Sequence, residues 1–165
     1  LVAAWAERYL DSESNSTPRL KSDSLVLAQI DDEAFLTRIK AWDFQLIADE
    51  PEEIGGQNRG PSPYELLGAS LAACTTMTLR MYADRKKWPL EGVKVHVDYE
   101  ADYVSDIQNC ETEKRRLGRF IRRIELLGAL DEKQSQRLMQ IADKCPVHRT
   151  LSSGVDIHTH KHSIA

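Results

Sequence analysis

Polar and apolar positions along this chain repeat with two different periods. Over 93–100, Val93, Val95, Val97 and Tyr99 alternate with Lys94, His96, Asp98 and Glu100, a period of two that predicts a strand with one buried and one wet face. Residues 118–128 alternate similarly and predict a second strand. Residues 24–30 and 34–48 are rich in apolar and β-branched side chains, and Asp31, Asp32 and Glu33 separate them, which predicts a hairpin. The stretch DEPEEIGGQNRGPSP (49–63) is dense in Gly, Pro and acid and predicts a surface loop.

Helix signals punctuate the rest. Ser62 can cap, Pro63 suits a first helical position, and Glu65 completes a capping box, so a long helix is predicted over about 63–86, ended by Pro89 and Gly92. Asp131 with Gln134 predicts a second helix to about 143, with Leu138, Ile141 and Ala142 as its buried stripe. Residues 145–152 read as a short helix, and Gly154 releases the chain into VDIHT (155–159), read as a closing strand. The polar segment 101–116 reads as a loop and carries Cys110. The predicted order is β-β-α-β-β-α-α-β, which favours an antiparallel α+β sheet over a doubly wound one. Residues 1–10 read as a short amphipathic helix followed by a Ser/Asn/Pro-rich linker. The expected organisation is therefore a connector over 1–18 and one domain over 19–165. The first residue is Leu rather than Met, and the chain is read as a piece of something longer.

Composition narrows the function classes. Hydrophobic residues make up 41% and charged residues 29% of the 165, with a formal net charge of -4. That balance belongs to a soluble globular protein and offers no basic excess to neutralise phosphates, so nucleic acid is not an expected partner. No apolar run approaches the roughly 20 residues that span a bilayer, and no signal-peptide layout opens the chain. No membrane partner and a cytoplasmic location are expected. The three cysteines, Cys74, Cys110 and Cys145, are an odd number and do not suit a secreted disulfide framework. They are expected to be free, metal-bound or redox-active.

Their settings differ. Leu67, Leu71, Met77 and Met81 share the helical face of Cys74, so Cys74 is expected in apolar surroundings, as either a buried structural cysteine or a reactive thiol. Cys145 precedes Pro146 and therefore occupies a helix N-cap, where free backbone N–H groups and the helix dipole favour a thiolate. Lys144, His148 and Arg149 add positive charge, and Cys145 reads equally as a simple cap or a reactive thiol. Cys110, in a polar loop, reads as a bystander. His158, His160 and His162 share a strand face with Asp156 and read as a solvated strand end. The histidines provide no Cys/His zinc spacing, so no metal and no cofactor are expected.

The stretch GPSPYELLGASLAAC (60–74), followed about 70 residues later by KCPVH (144–148), resembles the paired motifs of the OsmC / organic hydroperoxide resistance family, over roughly residues 24–160. DEP followed by GG, then GPSPYELL and CTTMTLRMYADRKKWPL, look most like the subgroup fused behind an α/β-hydrolase domain. The resemblance implies an α+β fold with antiparallel sheets around a long central helix, in an intertwined homodimer. It implies a thiol peroxidase in which Cys74 attacks the peroxide O–O bond and becomes a sulfenic acid, and Cys145 condenses with it to a disulfide. The substrates would be organic hydroperoxides or hydrogen peroxide, with a small or lipoyl-type dithiol as reductant and a role in oxidative stress.

In the family an arginine from the N-terminal strands, held by a glutamate near the start of the long helix, makes the attacking cysteine a thiolate. Glu65 is the acid near that place. It lies nine residues before Cys74, and Tyr64 stands at the tenth, where the family's glutamate falls. Nine residues turn a helix through roughly 900° and advance it roughly 13 Å, so Glu65 would act on the Cys74 of a partner chain, or only as part of the cap. Arg38 and Arg59 are the candidate arginines. A second reading is a non-peroxidatic accessory domain that binds a ligand or stabilises the dimer of an attached hydrolase.

Overall fold

The computed structural model describes residues 19–100 and 118–162; the expectations for 1–18 and for the loop carrying Cys110 lie outside them. The described chain forms two compact units that divide after Pro63.

The first unit is a three-stranded antiparallel sheet, β1 (Val26–Ile30), β2 (Thr37–Ala41) and β3 (Phe44–Ala48), in the order β1-β2-β3. The expected hairpin is thus a meander. The run 34–48 is too long for one strand of ordinary length, and the chain reverses at Trp42-Asp43, where Trp42 takes a positive φ of 54° and Ala41 pairs with Phe44. The loop expected over 49–63 contains a short 3-10 helix, Glu52–Ile54. Asp49 organises this loop: its buried carboxylate accepts from the backbone N–H groups of Glu50 at 2.9 Å and of Gln57 and Arg59 at 3.1 Å. Burial pushes its pKa up, but these three donors and the Arg59 charge outweigh that and leave it below the usual carboxylate value. The loop passes so close to itself that a Cβ on Gly56 would lie 1.8 Å from the Glu50 carbonyl oxygen, so only glycine fits there.

The second unit opens on the long helix α1 (Pro63–Lys86), followed by β4 (Leu90–Glu100), β5 (Arg119–Gly128), α2 (Glu132–Ala142) and α3 (Pro146–Ser153). β4 and β5 form an antiparallel pair in which Val97 faces Arg122, Val95 faces Ile124 and Val93 faces Leu126. The inward face carries these side chains together with Tyr99 and Phe120. The outward face carries Lys94, His96, Asp98, Arg123 and Glu125, laced by ion pairs such as Arg123–Asp98 at 2.7 Å and Lys94–Glu125 at 3.3 Å.

α1 buries Gly68, Leu71, Thr75, Leu79 and Ala83, a stripe at intervals of three and four residues. Gly68 lets the helix lie close on the sheet, since a Cβ there would already touch Val97 and Phe120 at 3.6 and 3.7 Å. At the same end the Tyr64 ring stacks on Tyr99 with centroids 4.3 Å apart. Farther along, Leu79, Ala83, Leu90, Leu138, Ile141 and Ala142 make the core, with Tyr82, Trp88, Val93, Ile124, Leu126 and Leu130 around it. α2 begins at the expected cap: Asp131 accepts from the Gln134 N–H at 2.7 Å and Gln134 closes the box at 3.1 Å.

Two expectations are corrected. Of the face expected to be buried around Cys74, only Leu71 is; Leu67, Met77 and Met81 are 40%, 64% and 72% exposed, because a single two-stranded sheet covers one side of α1. The closing strand over 155–159 has no ladder: residues 154–162 carry no secondary structure, and no strand among the described residues pairs with them. A strand exists only through a neighbour's hydrogen bonds, and alternation alone cannot supply one. Among the described residues, no helix is long and apolar enough to cross a membrane.

Candidate functional site

Cys74 lies mid-way along α1, next to the buried stripe, and Cys145 lies at the N-cap of α3. The fold of the second unit brings these two thiols close enough to shift each other's ionisation, and both are free. Cys145 is completely buried, whereas Cys74 is partly open to solvent. This is the pair the motifs singled out.

α3 starts here for a local reason. α2 ends at Ala142, Lys144 N–H closes on the Ile141 carbonyl at 2.9 Å, and Pro146 then sets the first helical φ without needing a donor. The Cys145 backbone carbonyl accepts from the Arg149 N–H at 3.1 Å. Its sulfur makes no full capping bond, but the Val147 and His148 N–H groups point to it closely enough to favour its negative form.

The two thiols are driven apart in acidity. Burial raises both, most strongly as a single cause in each. For Cys145 the Cys74 thiol, the His148 and Val147 N–H groups and the Thr75 hydroxyl more than offset that cost, and its thiol is held below the ordinary range. For Cys74 burial and the neighbouring Cys145 charge prevail over the Val147 N–H and Thr78, and its thiol is pushed up. These two directions favour the negative form on Cys145 over Cys74.

An arginine bridges the segments that carry the pair. Arg122, on the inward face of β5 and only 12% exposed, donates through Nη1 to Thr75 Oγ1 at 3.0 Å and to the Ala142 carbonyl at 3.1 Å. Its Nη2 meets Asp143 Oδ1 at 2.8 Å. Neither Arg122 nor Thr75 was singled out from the sequence. The signal existed: Arg122 is in phase with Phe120, Ile124 and Leu126, and Thr75 falls four residues after Leu71 on the buried stripe.

The other sequence candidates fall as follows. Glu65 is exposed in the first turn of α1. Arg38 and Arg59 belong to the first unit, where Arg38 is paired with Asp31, and Arg59 with Glu33 at 2.9 Å. His158 meets Asp156 at 3.0 Å, and no group of three or more His, Cys, Asp or Glu among the described residues could hold a metal ion.

A family model described as OsmC-like protein matches residues 56–160, which include both cysteines and every element of the second unit. The chain belongs to the OsmC-like family. Solved structures share the fold at low identity. An OsmC-like protein from Mycoplasma pneumoniae is 18% identical with a TM-score of 0.64, over 81% of this chain and 89% of its own. An organic hydroperoxide resistance protein OsmC from Legionella pneumophila is 21% identical with a TM-score of 0.59, over 84% of this chain and 95% of its own. A Psychrobacter arcticus protein provisionally assigned to osmotic stress induction and detoxification is 19% identical with a TM-score of 0.64, over 81% and 91%. No curated protein matches the chain. Within the OsmC-like fold, the antiparallel α+β architecture expected from the sequence is the one observed.

Proposed function

We propose that this chain is a cysteine-dependent peroxidase that reduces organic hydroperoxides or hydrogen peroxide. The observation that carries the reading is the contact between a partly open Cys74 and a buried Cys145 under a helix N-terminus, in a chain of the OsmC-like family. The Legionella relative is named for organic hydroperoxide resistance, which supports that substrate class.

The chemistry follows from the shared proton. Cys74 passes its proton to the Cys145 thiolate it touches, and so becomes the thiolate on the side open to solvent. Its sulfur attacks the terminal peroxide oxygen; the S–O bond forms as the O–O bond breaks, the peroxide takes two electrons, and the departing alkoxide recovers the proton from Cys145 to leave as an alcohol. Cys145, again a thiolate, attacks the Cys74 sulfenic acid, forming the S–S bond as the S–O bond breaks and releasing hydroxide, which takes a proton from solvent and leaves as water. A small or lipoyl-type dithiol then reduces the disulfide by exchange and is itself oxidised to a disulfide. One equivalent of an organic hydroperoxide is expected to yield a 74–145 disulfide in peptide maps; intact thiols, or a link that involves Cys110 instead, would sink the two-cysteine mechanism.

The functional form is proposed to be a homodimer. The exposed row of Leu67, Met77 and Met81 is an apolar face on the same helix as Cys74, and apolar helix faces are normally covered. A partner chain would also be needed for any role of Glu65 beyond the cap. Light scattering at micromolar concentration is expected to return twice the chain mass, and a monomer mass would remove that role.

One observation favours the accessory-domain reading: the Cys74 thiol is pushed up rather than down. On that reading all three cysteines oxidise slowly and alike.

A further inference from the structure

A disulfide tolerates little error in the approach of its two residues, whose Cα atoms must come within about 7 Å. Cys74 belongs to α1 and Cys145 to the turn between α2 and α3, so the position of one helix against the other decides whether the bond can close. Leu79 and Ala83 of α1 pack with Leu138, Ile141 and Ala142 of α2. Such packing holds the helices together but is non-directional, and leaves their sliding to be fixed by something else.

Arg122 supplies a directional tie. Its side chain, largely buried on the inward face of β5, is costly to place there unless its donors are satisfied. They are satisfied by Thr75 Oγ1 at 3.0 Å, the Ala142 carbonyl at 3.1 Å and Asp143 Oδ1 at 2.8 Å. Both ends of this bridge adjoin a cysteine. Thr75 follows Cys74 directly, is completely buried, and is itself held by donating to the Leu71 carbonyl at 2.7 Å. The Ala142 carbonyl that takes the guanidinium also accepts the Cys145 N–H at 3.3 Å. The guanidinium is a planar fork whose donors keep fixed positions relative to one another, so a shift of α1 against the turn breaks at least one of these bonds.

We propose that Arg122 is a positioning residue for the disulfide step: it ties α1 at Thr75 to the α2–α3 turn at Ala142 and Asp143, and so keeps Cys74 and Cys145 within bonding reach. The proposal deepens the two-cysteine reading and rests on it. Its consequence is a high effective concentration of one thiol at the other.

The test equilibrates the full chain carrying Cys110→Ser with mixtures of reduced and oxidised glutathione, and reads the 74–145 disulfide by alkylation and peptide mapping. The pair gives two electrons and two protons to glutathione disulfide, which leaves as two thiols, and no peroxide is needed. Arg122→Met, which keeps the stem and loses the fork, is expected to lower the equilibrium constant for the protein disulfide about tenfold, a potential about 30 mV less negative. Arg122→Lys, which keeps the charge without the fork, should resemble it. Thr75→Val keeps the shape, removes the anchor on α1 and should lower the constant by a similar factor; it carries the test by itself if Arg122→Met does not fold. The double variant should fall no further than Arg122→Met, because both changes open one bridge. Lost fold stability alone would lower Tm and leave the equilibrium of the folded pair where it was. A Thr75→Val constant equal to that of the parent overturns the proposal, as does a double variant whose losses multiply, which would trace each loss to its own packing. Hydroperoxide consumption by the same samples separates the two readings. A parent whose disulfide depends on Arg122 but which consumes no peroxide supports the tie and overturns the peroxidase; one that consumes peroxide with a disulfide indifferent to Arg122 overturns the tie alone.

Discussion

Cys74→Ser is expected to reduce hydroperoxide turnover by a factor on the order of 10³ or more, because it removes the nucleophile itself. Cys145→Ser should fail differently. Attack needs only the first thiol and resolution needs the second, so this variant should complete one slow round and stop, leaving a sulfenic acid on Cys74 that a dimedone-type reagent traps. Cys110→Ser should turn over like the parent. Stopped-flow oxidation of the parent and the three variants reads these outcomes directly. A Cys74 oxidation rate equal to that of Cys110 would exclude the peroxidase while leaving the OsmC-like fold in place.

Oxidation of Cys74 should also climb about tenfold per pH unit at low pH and level off below the ordinary thiol value of about 8.5. The sign follows from the pair. The first proton leaves at the site held below the ordinary range, Cys145, whose negative form is favoured by the Cys74 thiol, the His148 and Val147 N–H groups and Thr75. Once that proton is gone, Cys74 can hand over its own to Cys145 without further loss to solvent, so the rate tracks the first ionisation of the pair and is flat above it. The second proton leaves only at much higher pH, because two adjacent thiolates repel. In Cys145→Ser the internal acceptor is missing and Cys74 must ionise by itself against burial. Its profile should shift to higher pH, with a slower first round at pH 7, and an unchanged midpoint would refute the shared proton.

Much of this site was legible in the residues. The alternation of 93–100, the box of Asp131 and Gln134, and the Pro146 start of α3 are local rules read over a few positions, and the structure places all three elements there. The position of Cys145 at a helix N-terminus was likewise a matter of one following proline. The meander in place of a hairpin was within local reach too, since the run 34–48 exceeds an ordinary strand and the reversal at Trp42-Asp43 hides only because Trp is not a turn former.

What the sequence by itself determined is the long helix, the β4 and β5 strands and the two helices after them, together with the paired cysteine motifs and the family they resemble. Tertiary structure alone decided which side chains share the thiols' surroundings. Arg122 reads as one of two adjacent arginines in a strand, Thr75 as a small polar residue in a helix, and nothing local links them across 47 positions. Only when β5 lies against α1 does the guanidinium reach the hydroxyl, at 3.0 Å, and only the end of α2 supplies its remaining partners. The same holds for the unpaired segment 154–162 and the exposed Met77 and Met81. Periodicity says that an apolar face wants covering, but the covering surface is a long-range partner, and local sequence carries no record of where that partner lies.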